Sequence, residues 1–150
     1  MEEKIEIKIK AGLNNLKFGI SMDEVKKILG DPDDTETIED SEEPTEVWYY
    51  WENGITVFFE GENKKICVCF ETDNPDATLF GKKISEIKEK EIADLCRKNG
   101  FSDFETEDEE WGEQRISIND AVMDVYFENG DLVSINWGVD YDDDGNPLFL

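Results

Sequence analysis

The chain contains no histidine, only three cysteines and few basic residues among its 150 residues. Without histidine, the Ser-His-Asp and Cys-His catalytic arrangements and the histidine-containing zinc motifs are excluded. No glycine-rich phosphate-binding loop is present. Carboxylates are so abundant that a chance pair of them says little about catalysis. We therefore expect a protein that is not an enzyme and that requires no cofactor.

Long apolar runs are also missing. No stretch approaches the roughly 20 apolar residues that cross a membrane, and the first ten residues lack the apolar core of a secretion signal. The three cysteines, Cys67, Cys69 and Cys96, are an odd number without the spacing of a disulfide framework. That usage is typical of a reducing compartment. The sequence therefore predicts a cytoplasmic protein with no membrane segment.

Acidic residues outnumber basic ones by 39 to 15, which gives a formal net charge of −24. Such a surface repels nucleic acid and anionic membranes and attracts basic proteins and cations. Solubility alone is the alternative explanation. Two segments hold much of the excess: Asp31–Glu46 carries nine acids, Ser102–Glu113 carries seven, and neither has a base. They are either solvated loops or a pair of acidic arms that face a basic partner.

Hydrophobic periodicity gives a coarse secondary structure. Residues 4–10 alternate between apolar and charged side chains, as in a half-buried strand. Ser21 and Glu24 have the spacing of a capping box, and Gly30 and Pro32 end the helix that follows. A second helix is expected from about Ile84 to Asn99. Asn129-Gly130 has the composition of a hairpin turn that joins two strands directly. Four later strands alternate, with these residues predicted inward: Ile55, Val57, Phe59, Ile66, Val68, Phe70, Met123, Val125, Phe127, Val133, Ile135 and Trp137.

The two halves of the chain share one order of features. Leu16–Gly19 and Leu79–Gly81 each open a predicted helix, followed by an acidic segment and then by strands. Such repetition predicts a first module over residues 1–75, with the N-terminal strand, and a second over 76–150, with an acidic tail. The predicted fold class is α+β. Two tandem helix-plus-antiparallel-sheet modules form one layer of helices on one sheet, whose other face is open.

One stretch also resembles a known family. It runs Leu16-Lys-Phe-Gly-Ile-Ser-Met-Asp-Glu-Val-Lys-Lys-Ile-Leu-Gly-Asp-Pro32, followed by Trp48-Tyr-Tyr50 and a strand that ends in Phe59. This pattern resembles the small α/β module of the BamE/SmpA–OmlA lipoproteins, and it is similar to the β-lactamase inhibitor proteins, which carry two such modules. The resemblance implies a binding or inhibitor module whose open sheet face meets a protein partner.

Aromatic residues mark the expected interface. Trp48-Tyr49-Tyr50-Trp51 sends two aromatics to each face of its strand, so one pair remains outside the core. Phe58 and Tyr126 alternate with the inward-facing residues of their strands, so both side chains should lie on the open face of the sheet. A dimer partner, the N-terminal strand or a loop covering this face is the alternative explanation. The predicted partner-binding residues are Tyr49, Trp51, Phe58, Tyr126, Glu42 and Glu43.

The C-terminal tail carries a partial metal motif. Asp140, Asp142 and Asp144, with Gly145 next, occupy the first positions of a calcium-binding loop. The bidentate acid expected at position twelve of such a loop would fall beyond Leu150. The alternative is an acidic turn after the last strand.

These features together predict a small acidic protein-binding module, in particular an immunity-type inhibitor of a basic toxin or nuclease. A homodimer is compatible with the same pattern. The alternatives are a calcium-binding module that uses the C-terminal turn, and a structural protein without a ligand.

Overall fold

We describe the fold from a computed structural model, for residues 5–39, 44–61, 64–108 and 112–149. Two α-helices are present, α1 (Met22–Leu29) and α2 (Glu89–Lys98), with 3-10 turns at Ile84–Glu86 and Asn119–Ala121. The strands are β1 (Glu6–Lys8), β2 (Gly12–Leu13), β3 (Leu16–Lys17), β4 (Asp34–Ile38), β5 (Thr45–Tyr50), β6 (Ile55–Glu60), β7 (Ile66–Thr72), β8 (Thr78–Leu79), β9 (Lys82–Lys83), β10 (Phe104–Asp108), β11 (Glu113–Ile118), β12 (Met123–Glu128), β13 (Asp131–Gly138), β14 (Asp140–Tyr141) and β15 (Pro147–Leu148).

An eight-stranded antiparallel sheet dominates the molecule. Its strand order is β10-β11-β12-β13-β7-β6-β5-β4. Strands β7 and β13 meet at its centre, where Phe70 pairs with Trp137 and Thr72 with Ile135. Strands β4 and β10 form the two edges. We call this the large sheet.

A second, small sheet of five short strands has the order β3-β2-β1-β8-β9. Strand β1 pairs in parallel with β8, with Ile7 opposite Leu79. The other pairs in this sheet are antiparallel. The indole N–H of Trp137 donates a hydrogen bond of 2.9 Å to the carbonyl of Gly12. That bond ties the small sheet to the inner face of the large one.

One hydrophobic core lies on the inner face of the large sheet. A row of paired residues crosses it from Trp48 through Val57, Phe70 and Trp137 to Met123, and all of them are buried. The helices and the small sheet contribute buried residues to the same cluster, namely Ile5, Ile7, Leu13, Leu16, Val25, Leu79, Ile92 and Cys96. Helices and small sheet together therefore form the second layer.

The predicted fold class is wrong. The protein is mostly β, with two short helices, and is not a pair of tandem helix-plus-sheet modules. The layer on the inner face is not made of helices alone, because the small sheet contributes to it. The β1–β8 pair also hydrogen-bonds the N-terminal segment to residues 78–79, beyond the first predicted module. Alternation predicts a strand around β1, but the other four strands of this sheet have two residues each and leave no periodic signal, so the sequence does not reveal the sheet.

The predicted second helix is also too long. Residues Ile84–Glu86 form a separate 3-10 turn, and α2 begins only at Glu89. Ile87 and Lys88 between them have extended backbone conformations. The apolar side chains Ile84, Ile87 and Ile92 all reach the core, so their spacing imitates one continuous helix.

Several local predictions are confirmed. Ser21 caps α1, and Ser21 and Glu24 form the reciprocal hydrogen bonds of a capping box. Asn129 and Gly130 join β12 to β13 with φ values of 54° and 86°, the positive values that a two-residue hairpin turn requires. Of the twelve strand residues predicted to face inward, ten are buried. Ile66 and Val133 are only half-buried, because bulges at Phe58/Phe59 and Tyr126/Phe127 shift the register of the strands that pair with them.

Within the described ranges, no helix has the length and apolar character needed to cross a membrane. The longer one, α2, has ten residues. The predicted domain boundary near residue 75 falls in the loop between β7 and β8, and the division of the chain into two domains at that point stays a prediction.

Candidate functional site

The outer face of the large sheet, opposite the core, is crossed by a row of polar residues. Cross-strand pairing places Tyr49, Thr56, Glu71, Asn136 and Asp124 side by side on five neighbouring strands. Neighbouring strands lie about 4.8 Å apart, so these five positions span roughly 19 Å. The row continues at each end onto an edge strand, at Asp34 and at Glu105. The outer face is therefore polar along its centre.

Three aromatic residues stand on this outer face. Tyr49, Phe58 and Tyr126 are half-buried. By contrast Phe59, next to Phe58, is 0% exposed, and Phe127, next to Tyr126, is 1% exposed. The strand parity predicted this contrast. Aromatic side chains that remain accessible in a polar surface are the usual anchors of protein interfaces.

Each tyrosine is held by a charged neighbour. The hydroxyl of Tyr49 donates a hydrogen bond of 2.7 Å to Glu36. That bond and partial burial raise the pKa of Tyr49 to about 12. Burial and the nearby Asp124 raise the pKa of Tyr126, although its hydrogen bond to Arg115 opposes the shift. Both phenols are therefore protonated at neutral pH.

Glu71 lies at the centre of the outer face, on β7. Strand β7 lies between β5, which carries Tyr49, and β12, which carries Tyr126, and Glu71 pairs with Thr56 on one side and Asn136 on the other. Burial, then the neighbouring carboxylates of Asp73 and Glu113, raise the pKa of Glu71. No base in the described part of the chain forms an ion pair with Glu71.

Charge is distributed unevenly between the two sides of the molecule. The eight strands of the large sheet contain twelve carboxylates and one base, Arg115, which is itself paired with Glu107. The helices and the small sheet carry six carboxylates and these nine bases: Lys8, Lys17, Lys26, Lys27, Lys82, Lys83, Lys90, Arg97 and Lys98. The negative potential is therefore concentrated on the side of the large sheet.

The acidic segments are not loops throughout. Asp34–Ile38 forms β4 and Phe104–Asp108 forms β10, the two edge strands. Threonine alternates with acids in both, so the segments read as polar loops although their backbones pair. Charged side chains on edge strands also prevent pairing with strands of other molecules. The predicted partner-binding residues Glu42 and Glu43 lie outside the described residues.

Trp51 is the most exposed large hydrophobic residue in the described part of the chain, with 65% of its surface accessible. It follows β5 and begins the turn into β6, where its backbone N–H donates a hydrogen bond of 2.9 Å to Asp33. A cavity of about 250 Å³ lies beside it, lined in part by Thr56, Glu71 and Asp73. The structure thus brings Trp51 close to the central carboxylate of the outer face.

The C-terminal acids have local structural roles. Strands β14 and β15 form a hairpin, and one carboxylate oxygen of Asp142 accepts hydrogen bonds from the backbone N–H groups of Asp144 and Asn146 across its turn. Asp140 forms an ion pair of 3.4 Å with Lys10. No group of three or more potential ligands able to hold a metal ion occurs within the ranges described above. The structure does not bring Asp140, Asp142 and Asp144 together as a calcium site.

The cysteines are free thiols with little nucleophilic character. Cys67 and Cys96 are buried, and Cys69 lies on the outer face with its thiol 3.2 Å from the side-chain oxygen of Asn136. Burial raises the pKa of Cys69 to about 12 and that of Cys96 to about 11. The thiolate forms needed for catalysis are therefore scarce at neutral pH.

Comparisons with known proteins show a structural similarity but no match to a protein family or a curated protein. Among solved structures, the chain is similar to an extracellular protein containing a SCP domain from Bacillus anthracis str. Ames. The identity is 15%, the TM-score is 0.52, and the match covers 92% of this chain and 49% of that one. The chain spans about half the length of that structure, and the likeness shows the fold alone.

The resemblance to the BamE/SmpA–OmlA lipoproteins and the β-lactamase inhibitor proteins is wrong. The mostly β architecture and the similarity to the SCP-containing protein overturn it. The motif residues have local roles: Ser21 and Glu24 cap α1, and Gly30 ends it at a φ of 85°. Such start and stop signals serve any short helix, so they do not specify the arrangement of strands around it.

Sequence reasoning missed three residues of the outer face, namely Glu71, Asp73 and Arg115. Glu71 alternates with the inward residues Phe70 and Thr72, so its outward position could have been predicted from parity. The pairing of β7 with β13, which brings Ser134 and Tyr126 towards Glu71, has no counterpart in local sequence.

Proposed function

We propose that this chain is an acidic protein-binding module whose outer face binds a basic protein. The observation that carries the proposal is the distribution of charge, with twelve carboxylates and one base on the large sheet. A basic partner is attracted to that side of the molecule and is oriented by it during approach.

Side chains on the outer face supply short-range contacts for such a partner. Tyr49, Phe58 and Tyr126 are half-buried, so they offer apolar surface without large loss of conformational entropy on binding. Glu71 between them has no cationic partner in the described part of the chain. A lysine or arginine from the partner would provide the missing counter-charge.

An immunity-type inhibitor of a basic toxin or nuclease is the specific role that we propose within this class. Enzymes that act on nucleic acid carry basic surfaces, and an acidic protein competes for those surfaces by occupying them. The absence of histidine and the suppressed ionisation of the three thiols favour a binding role over a catalytic one.

We also propose a cytoplasmic location. Cys67, Cys69 and Cys96 are all free, and free thiols persist in a reducing compartment. The protein from Bacillus anthracis is described as extracellular, but at 15% identity this description does not transfer to the present chain.

The test is capture of partners from a lysate of the source organism, with the wild-type protein and a Phe58→Ala/Tyr126→Ala variant immobilised side by side. A captured basic protein should then be purified and its binding kinetics measured at several salt concentrations. We expect the association rate to fall at least about tenfold between low and physiological salt, since steering depends on unscreened charge. The complex with the Phe58→Ala/Tyr126→Ala variant should dissociate faster than the wild-type complex, with a nearly unchanged association rate.

A matched control removes charge from the other side of the molecule. Asp23→Asn/Glu86→Gln removes two exposed carboxylates from the side of the helices, and it should change association far less than Asp34→Asn/Glu105→Gln on the edge strands. Equal effects of the two pairs would show that net charge alone attracts the partner. Loss of the partner's own activity on binding would support the inhibitor role, and unchanged activity would contradict it.

A further inference from the structure

The cavity beside Trp51 is lined by acidic, hydroxyl-bearing and aromatic side chains. It has a volume of about 250 Å³ and opens where the outer face meets the turn between β5 and β6. The carboxylates of Glu71 and Asp73, the hydroxyl-bearing side chains Thr56 and Ser134, and Trp51 all contribute to its wall. It therefore combines two negative charges with an aromatic surface.

Neither carboxylate is neutralised from within the protein. No described base lies within ion-pair distance of Glu71 or Asp73. The carboxylate of Asp73 lies against Gly54 in the turn: a Cβ placed on Gly54 would be 2.6 Å from its oxygen. The mutual repulsion of the two acids contributes to the raised pKa of Glu71. A bound cation would relieve this repulsion.

Trp51 completes the chemistry of the cavity. Its indole is 65% exposed, and its backbone is fixed by the hydrogen bond to Asp33. A guanidinium group stacks on an indole face and, at the same time, donates paired hydrogen bonds to a carboxylate. An ammonium group makes the same charge contacts but lacks the planar geometry.

We propose that this cavity receives an arginine side chain from the basic partner. The inference rests on the proposed function and adds to it the chemistry of one anchoring contact. Trp51 stacks on the guanidinium plane, and Glu71 and Asp73 accept its hydrogen bonds. The half-buried aromatics Tyr49 on β5 and Tyr126 on β12 lie on either side of β7 and its Glu71, so the arginine would enter near the middle of the interface.

The test uses small peptide probes and the intact protein labelled with 5-fluorotryptophan. The probes are acetyl-Gly-Arg-Gly-amide, its lysine analogue, and its citrulline analogue, which has nearly the same shape without the charge. The fluorine resonance of Trp51 is assigned with the Trp51→Phe variant. We expect a saturable shift of that resonance with the arginine peptide, and at least about tenfold weaker binding of the citrulline and lysine analogues.

Variants then locate the binding site. Glu71→Gln/Asp73→Asn should weaken arginine-peptide binding at least about tenfold, because two charge-assisted hydrogen-bond acceptors are lost. The control Asp23→Asn/Glu86→Gln removes the same charge from the side of the helices and should change the affinity less than about twofold. Circular dichroism establishes that both variants are folded.

Three results would overturn the inference: an equal response to arginine and citrulline, full binding by Glu71→Gln/Asp73→Asn, or an equal loss in the control variant. These outcomes concern the cavity alone. If the peptide fails while Phe58→Ala/Tyr126→Ala still accelerates release of a captured basic protein, the cavity assignment is wrong and the proposed function stands. If both fail, the proposed function is wrong as well.

Discussion

Adjacent phenylalanines with opposite orientations give a sharp test of the structure. Phe58 and Phe59 are neighbours on β6, yet Phe59 is 0% exposed and belongs to the core, whereas Phe58 is half-buried on the outer face. Replacing each by alanine removes the same atoms from the same strand. Any difference in the free energy of unfolding therefore reflects the two environments and not the chemistry of the substitution.

The expected cost is larger for Phe59. Truncating a buried phenylalanine costs about 3–5 kcal/mol, and the ring of Phe59 also packs edge-on against Trp48, with 4.8 Å between ring centroids. Domains of this size lose about 3 °C in melting temperature per kcal/mol, so Phe59→Ala should melt roughly 9–15 °C lower. Phe58→Ala loses only part of its burial and should cost about 1–1.5 kcal/mol.

Urea denaturation followed by circular dichroism measures both variants. The midpoint should fall much more for Phe59→Ala than for Phe58→Ala, with the slope unchanged if the transition stays two-state. The pair Tyr126→Ala and Phe127→Ala repeats the comparison on β12, where Phe127 is 1% exposed. Equal costs at Phe58 and Phe59 would show that the two faces of the sheet are assigned incorrectly, and the binding surface would fail with them.

Three further predictions follow from individual residues. Glu71→Gln should raise the melting temperature of the free protein by removing a partly buried charge that is repelled by its neighbours; a lower melting temperature would contradict this. Gly12→Ala should cost at least about 2 kcal/mol, measured by urea denaturation, because Gly12 has a φ of 147° and a Cβ there would lie 1.9 Å from the carbonyl oxygen of Leu16. Stability should fall as pH rises from about 10 to 12, because Tyr49 and Tyr50 titrate near pH 12 when folded and at 10.0 when unfolded. In Tyr49→Phe, the melting temperature should fall less between pH 10 and 12 than in the wild type. An equally large fall would contradict the raised pKa of Tyr49.

Local signals in the sequence were read correctly where the relevant interactions are local. The capping box at Ser21 and Glu24 involves residues three positions apart, and the Asn129-Gly130 turn depends on two adjacent residues. The contrast between Phe58 and Phe59 required only the alternation of a strand. These features are determined by backbone geometry over a few residues.

Non-local pairing could not be predicted in the same way. Strand β1 pairs in parallel with β8, about seventy residues later. The alternation of residues 4–10 predicts a strand but not its partner, and β8 has only two residues, too few to show a period. Strands β4 and β10 are edge strands whose exposed threonines and acids resemble solvated loops. The candidate site combines Trp51, Glu71 and Ser134, which come together only after β7 has paired with β13. Trp51 was predicted, and its acidic neighbours were not.

The central position of β7 and β13 in the large sheet has a consequence for synthesis of the protein. Strand β7 ends at Thr72, and its partner β13 is complete only at Gly138. At ~5–20 residues per second, translation of the intervening chain takes roughly 3–13 s. During that interval the hydrogen-bonding edge of β7 that later pairs with β13 has no partner. Strand β7 is hydrophobic, with Ile66, Val68 and Phe70. An unpaired hydrophobic strand edge is a template for aggregation, so nascent chains arrested before Asp131 should depend on chaperones, whereas completed chains should not.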